Sequence, residues 1–130
     1  MKPFPPGPFG ERTVKRMSLD VFEEELARVL ERLKAYAPQK VILYGSFARG
    51  DYHALSDVDL LIVKDTSRPF VQRIGDVLEY VDSPLRIEPM VYTSVELARM
   101  QDSGNPFLIG ALAEGRVLYE RKPAAGQTLV

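Results

Sequence analysis

The chain has 130 residues, of which 45% are hydrophobic and 27% are charged, and its formal net charge at pH 7 is −1. This composition is typical of one globular domain, and the near-neutral charge argues against binding nucleic acid by bulk electrostatics. The absence of cysteine and the single histidine exclude disulfides and thiolate metal sites and disfavour a zinc enzyme. No apolar run approaches the roughly 20 residues of a membrane helix, so a cytoplasmic protein with no membrane partner is expected.

The N-terminal segment "MKPFPPGPFG" is rich in proline and glycine, which supply neither helical nor sheet hydrogen bonds. Residues 1–17 are therefore predicted to form a Pro-rich arm. Ser18 or Asp20 can cap a following helix, and Glu23 completes a capping box with Asp20. Apolar residues at helical spacing then predict an amphipathic helix over about 19–36.

The rest of the chain alternates between short apolar segments, typical of strands, and helical patterns. Strands are predicted over 40–45, 57–64, 85–93 and 116–120, and helices over about 69–81, 94–102 and 106–114. The first of these helices is predicted to turn inward Phe70, Ile74, Val77, Leu78 and Val81. Pro89 should confine the third strand to a sheet edge or a bulge. This alternation predicts a small α/β or α+β domain over 18–122, followed by a flexible tail over 123–130.

Two aspartates stand where the second predicted strand begins, within "ILYGSFARGDYHALSDVDLLIV" (42–63). Side chains on a strand alternate faces, so Asp57 and Asp59 project on the same side, about 7 Å apart at Cα. Two such carboxylates repel unless a positive charge lies between them. Mg²⁺ accepts carboxylate oxygens and keeps coordination positions open for phosphate, so it is the natural occupant. The alternative is that both side chains are solvated or cap the preceding loop.

Gly45 and Ser46 stand at the end of the preceding strand. A short helix over 46–49 would present backbone N–H groups to an anion, glycine would allow close approach, and Ser46 would add a donor. Arg49 follows in a position to bind phosphate oxygens bidentately, although pairing with Asp51 or solvent is an equal alternative. A Gly-Ser pair after a strand can also be a simple tight turn. If the two strands are antiparallel neighbours, this phosphate cradle and the aspartates meet.

The motif "GSFARG" followed by "SDVDLLIV", with ten residues between Ser46 and Asp57, resembles the signature of the nucleotidyltransferase superfamily with a DNA polymerase β type of palm. It most resembles the minimal nucleotidyltransferases, which are often encoded beside a HEPN-domain protein. The resemblance is firm over about 41–63 and looser over about 85–119. It implies a polymerase β-like fold, with a small mixed sheet of about four strands flanked by helices.

The resemblance also implies a third metal-binding carboxylate on a later strand, for which Glu88 is the candidate. Glutamate in place of the commoner aspartate, followed by Pro89, departs from the family pattern, and Glu88 can equally be a solvated edge residue. Two Mg²⁺ ions about 3.5–4 Å apart would then bind the triphosphate of ATP. The reaction would transfer AMP to an acceptor hydroxyl. The expected catalytic and metal-binding residues are Asp57, Asp59 and Glu88, and the expected phosphate-binding residues are Gly45, Ser46 and Arg49.

The acceptor is left open by the sequence. Minimal members of the resembled family are often antitoxins that adenylylate a HEPN toxin, and the short chain favours a protein acceptor or a partner subunit that completes the site. A small-molecule acceptor is one alternative. Another is a non-catalytic binding antitoxin or scaffold, which would use apolar residues around 106–113 that could equally be core. The base preference and the choice between homo- and hetero-oligomer are also open.

Overall fold

Four strands and five helices follow one another in a computed structural model that describes residues 19–52 and 56–122. The helices are α1 (Leu19–Leu33), α2 (Ser46–Arg49), α3 (Phe70–Val81), α4 (Ser94–Asp102) and α5 (Pro106–Glu114), and the strands are β1 (Lys40–Tyr44), β2 (Val58–Val63), β3 (Ile87–Tyr92) and β4 (Arg116–Glu120). A 3₁₀ turn, Lys34–Tyr36, extends α1. The predicted elements are thus confirmed, whereas the arm, the Ser18 cap and the tail lie outside the described residues.

The sheet has the strand order β3-β2-β1-β4. β1 is antiparallel to both β2 and β4, and β2 is parallel to β3, so the sheet is mixed and the predicted antiparallel neighbours are confirmed. β2 lies between two strands and is covered on both faces, which explains the apolar run from Leu60 to Val63 that follows Asp59. The register places Tyr44 and Glu88 on either side of Asp59.

Helices cover both faces of the sheet. α1 and α3 pack on one face, where Leu26, Val29 and Val77 join a large buried cluster with Leu43 and Leu60. A smaller cluster on the other face is formed by Ile42, Leu61, Val63, Leu108 and Ala111, with residues of α4 packed against it. Because side chains alternate along β2, Asp59 shares the face of Leu61, the face that α4 and α5 cover.

Helix α3 buries a different set of side chains from the predicted one. Leu78 is 43% exposed, so its predicted inward position was wrong. The buried stripe runs through Arg73, Val77 and Val81, and Leu78 lies one position beyond it. Arg73 is 5% exposed because its guanidinium donates to the Val91 carbonyl and to the Glu96 carboxylate, which compensate the buried charge.

Pro89 lies in an edge strand, as predicted. The Val58 N–H donates to the Arg86 carbonyl at 2.7 Å, and the Lys64 N–H donates to the Tyr92 carbonyl at 3.0 Å. The backbone N–H and C=O groups of the even-numbered residues of this segment therefore point toward β2. The backbone nitrogen and C=O group of Pro89 point toward the open edge, where no N–H is needed. Within the described ranges, none of the helices has the length and apolar character needed to cross a membrane.

Candidate active site

Gly45 brings the end of β1 against Asp59. Its backbone has φ 76° and ψ −157°, a conformation that side-chain-bearing residues rarely adopt. A Cβ added at this position would overlap the Asp59 Oδ2 atom. Glycine is therefore required here twice, for the backbone turn into α2 and for the close approach to the carboxylate.

The three predicted carboxylates lie near one another at the same end of β2 and β3, next to this turn. Asp59 lies opposite Glu88 in the β2–β3 register, and Asp57 directly precedes β2. Hydrogen bonding with Asp57, followed by burial and the charges of both aspartates, raises the pKa of Glu88. Burial, and then the charge of Asp57, raises the pKa of Asp59. The carboxylates therefore repel one another, which is the situation that a bound cation relieves.

The donor chemistry fits Mg²⁺, since carboxylate oxygens are the ligands that this ion prefers. Arg86 supplies positive charge at present, with its Nε atom 3.0 Å from Asp57 Oδ1. Across residues 19–52 and 56–122, no three histidine, cysteine, aspartate or glutamate side chains are gathered closely enough to hold a metal ion. Ligation by Asp57, Asp59 and Glu88 would therefore require their side chains to move closer together.

Glu114 is a residue of this site that the sequence reading missed. Its Oε1 atom accepts a hydrogen bond from the Gly45 N–H at 3.1 Å, and its two oxygens lie 3.1 and 3.0 Å from Arg49 Nη1. Arg49 also donates from Nε to Asp51 at 3.1 Å, the pairing predicted as its alternative, and phosphate binding by Arg49 stays a prediction. No motif marks Glu114, because its partners are distant in sequence and meet it only through the packing of α5.

Gly115 explains how Glu114 reaches the cradle. A Cβ added to Gly115 would lie 2.5 Å from the Ala111 carbonyl oxygen and 2.7 Å from Ile42 Cγ2. The missing side chain lets the end of α5 pack closely against β1. Leu108 and Ala111 are the buried residues on the inner face of α5. Glu114, the last residue of α5, is thereby held beside the end of β1.

Aromatic rings hold α2 in place. The Phe47 ring stacks on Phe22 of α1, with centroids 4.4 Å apart, and on Tyr52 at the same distance. Ser46 is half-buried at the start of α2. Tyr44, half-buried at the end of β1, has its pKa raised by burial and then by the Asp59 charge, which places its phenol near the carboxylates. The turn that carries Gly45 and Ser46 is thus anchored from both sides.

Comparison with known proteins gives a consistent result. The family described as polymerase beta, nucleotidyltransferase matches residues 24–124. A Methanocaldococcus jannaschii protein with the provisional name protein adenylyltransferase MJ0604 is 54% identical over 81 residues, which cover 62% of this chain and 78% of that protein.

Two solved structures show weaker likeness. A Sulfolobus solfataricus protein, provisionally described as a nucleotidyltransferase, is 20% identical with a TM-score of 0.50, over 84% of this chain and 93% of its own. This likeness concerns the fold alone. A chain of a toxin–antitoxin crystal structure with AMP-PNP is 16% identical, with a TM-score of 0.49, over 74% of this chain and 73% of its own. That similarity is too low to carry an argument.

Proposed function

Because this chain belongs to the polymerase β nucleotidyltransferase family, we propose that it transfers AMP from ATP to a hydroxyl group of a partner protein in a Mg²⁺-dependent reaction. The observation that carries the proposal is that Gly45 and the carboxylates of Asp57, Asp59 and Glu88 lie together where neighbouring strands end or begin. A protein acceptor is supported by the provisional name of the 54% identical relative. An antitoxin role toward a HEPN-type partner rests on the resemblance of the motif to minimal nucleotidyltransferases.

The proposed reaction needs positioning and charge stabilisation and no side-chain nucleophile. The Gly45 N–H, Ser46 and Arg49 hold the β- and γ-phosphates, while Asp57, Asp59 and Glu88 hold the metal. When bound, Mg²⁺ supplies charge neutralisation for the triphosphate and activation of the acceptor hydroxyl. The acceptor oxygen bonds to the α-phosphorus in line as the bond to the β-phosphate oxygen breaks. Pyrophosphate leaves with that electron pair, and the hydroxyl proton passes to Glu88 or to solvent.

A second candidate is a non-catalytic binding role, favoured by the apolar surface of α5. Leu108 and Ala111 are buried, whereas Phe107, Ile109 and Leu112 are 38%, 57% and 39% exposed. The predicted alternatives for 106–113 are therefore both present, core on one face and exposed apolar surface on the other. Such a surface fits contact with another protein, and it is compatible with catalysis on that protein.

The test uses ATP labelled at the α-phosphate, with Mg²⁺ and an extract of the source cell. Wild type is compared with the double variant Asp57→Asn/Asp59→Asn. A second double variant, Glu31→Gln/Glu120→Gln, removes the same charge from the surface, where Glu31 pairs with Lys34 and Glu120 lies 3.9 Å from Lys40. We expect label on one protein band with wild type and with the surface variant, and none with the site variant.

Other results would redirect the proposal. Label in a small molecule would make the chain a small-molecule adenylyltransferase. Co-purification of a partner without any transfer, in a protein that does not bind Mg·ATP, would establish the binding role instead. Equal labelling by wild type and by Asp57→Asn/Asp59→Asn would remove both aspartates from the mechanism.

A further inference from the structure

The Glu114 carboxylate occupies donors that a nucleotide triphosphate would use. One of its oxygens takes the Gly45 N–H, and both oxygens lie within hydrogen-bond distance of Arg49 Nη1. A carboxylate and a phosphate present oxygen acceptors of similar charge and geometry to such donors. Glu114 therefore satisfies, from within the chain, the same groups that the proposed reaction assigns to phosphate.

Glu114 and a triphosphate cannot share these groups. The single N–H of Gly45 makes one strong hydrogen bond, and Arg49 is already paired on its other side with Asp51. Asp59 lies close enough that the charge of Glu114 acts on it, so a carboxylate left in place would also repel the phosphates. The side chain of Glu114 is 31% exposed and ends a helix, so it can turn toward solvent without opening the core.

We infer that Glu114 is a placeholder for the nucleotide: it occupies the phosphate donors in the free protein and is displaced when a nucleoside triphosphate binds. This inference rests on the proposed function, since it concerns the same site. While in place, the carboxylate compensates Arg49 and satisfies the Gly45 N–H, which keeps the cradle formed in the absence of ligand. The same contact opposes ligand binding, because every triphosphate must first break it.

A placeholder and a positioning residue predict opposite results when Glu114 is changed. A residue that only holds Arg49 in a useful orientation would, when removed, weaken nucleotide binding. A placeholder would, when removed, strengthen it, because the donors become available without competition. The direction of the change in affinity therefore decides between them.

The experiment measures the dissociation constant of Mg·AMP-PNP by isothermal titration calorimetry for wild type and for Glu114→Ala and Glu114→Gln. Glu120→Gln, which removes a carboxylate from an exposed surface pair, is the matched control. We expect about tenfold tighter binding for Glu114→Ala, equivalent to about 1.4 kcal/mol. Glu114→Gln should be intermediate, because its amide oxygen still accepts from Gly45 while its charge is gone. Inorganic pyrophosphate without Mg²⁺ should show the same order, since it probes the phosphate donors apart from the metal-binding carboxylates.

Unchanged or weaker binding by both Glu114 variants, with wild type binding normally, would overturn the placeholder and leave the proposed function standing. If wild type and every variant fail to bind Mg·AMP-PNP, the proposed function falls and the placeholder with it. If only Glu114→Ala loses its cooperative thermal transition, the folded Glu114→Gln protein decides the question.

Discussion

At Gly45, the backbone conformation and the geometry of the site impose the same requirement. The residue has φ 76°, and an added methyl group would overlap Asp59 Oδ2. Gly45→Ala is therefore expected to lower the free energy of unfolding by about 2 kcal/mol, because the conformation suits only glycine. It should also weaken Mg·AMP-PNP binding at least tenfold by displacing Asp59, as measured by calorimetric titration beside urea unfolding.

Gly50 offers the matched control. It also has a positive φ, 85°, but a Cβ there would meet nothing within 4 Å. Gly50→Ala should lower the free energy of unfolding by about 1 kcal/mol and leave nucleotide affinity unchanged. Equal losses of affinity in both variants would mean that backbone strain, and not contact with Asp59, explains the Gly45 effect.

Individual site residues differed in how far the sequence could reveal them. The spacing of Asp57 and Asp59 on a strand is a local property, and so is the Gly-Ser end of the preceding strand, so both were visible in the sequence. Glu114 was not, because its contacts with Gly45 and Arg49 depend on where a distant helix ends. The catalytic roles of these residues remain predictions.

At the scale of elements, the ion pair between Arg73 and Glu96 joins α3 to the start of α4. Arg73 Nη1 lies 2.7 Å from Glu96 Oε1, and the same carboxylate completes a capping box with Thr93. Glu96→Gln should lower the free energy of unfolding at pH 7 by about 2 kcal/mol, because the nearly buried guanidinium loses its charged partner. Urea unfolding measures this difference. Asp76→Asn, which breaks the more exposed pair with Arg68, is the control and should have little effect.

The same pair predicts a pH dependence. The hydrogen bond from Arg73 is the main cause that lowers the pKa of Glu96 in the folded protein. The stabilisation is therefore complete above the pKa of a glutamate in the unfolded chain, and it is lost as the pH falls through the lower folded-state value. Unfolding free energies of wild type and Glu96→Gln should converge in acid. A constant difference down to about pH 3 would contradict this assignment.

Replacing Gly110, within α5, and Gly115, directly after it, by alanine should change the free energy of unfolding in opposite directions. Gly115→Ala should lower the free energy of unfolding by about 2 kcal/mol, because its Cβ would meet the Ala111 carbonyl oxygen and Ile42. Gly110→Ala, in the same helix with nothing within 4 Å of the new Cβ, should raise it by about 0.5–1 kcal/mol through helix propensity. Thermal unfolding of the two variants measures both effects. Destabilisation by both would show that α5 tolerates no added side chain.

Helix and strand positions followed from periodicity because apolar spacing reports which residues face a core. That logic was wrong at Leu78 and gave no sign of the buried Arg73. An apolar pattern treats arginine as a surface residue, whereas here the carbonyl of Val91 and the carboxylate of Glu96 compensate its charge. Buried charges are specified by tertiary partners, so a one-dimensional pattern does not show them.

For the whole molecule, the site opposes the stability of the fold that carries it. Burial, and then the charge of Asp57, raises the folded-state pKa of Asp59 above its unfolded value, so its favourable contribution is lost as the pH rises through that raised value. At neutral pH the charged carboxylate therefore destabilises the free protein. Asp59→Asn is expected to raise the melting temperature by a few degrees in the absence of ligand.

Bound Mg·AMP-PNP should reverse the order of the melting temperatures of wild type and Asp59→Asn. At a Mg·AMP-PNP concentration of about 100 times its dissociation constant, wild type should gain about 2.7 kcal/mol, and the variant, which lacks one of the proposed metal ligands, should gain much less. Thermal unfolding with and without Mg·AMP-PNP measures both states. Asp65→Asn is an informative control, because hydrogen bonds with Ser94 lower the pKa of Asp65 and its loss should destabilise the protein in either condition. An Asp59→Asn protein that melts below wild type without ligand would contradict the argument.

The backbone of Pro89, which faces the open edge of β3, also limits how the proposed acceptor protein could bind. A polypeptide can bind a sheet edge as an added strand only if that edge offers backbone donors in register. The free edge of β3 lacks one in its middle, directly after Glu88, so a continuous intermolecular strand cannot form there. The same gap protects this edge from self-association into larger sheets. Under the proposed function, the acceptor hydroxyl would therefore be presented by a folded surface or a loop, and not by a strand added to β3.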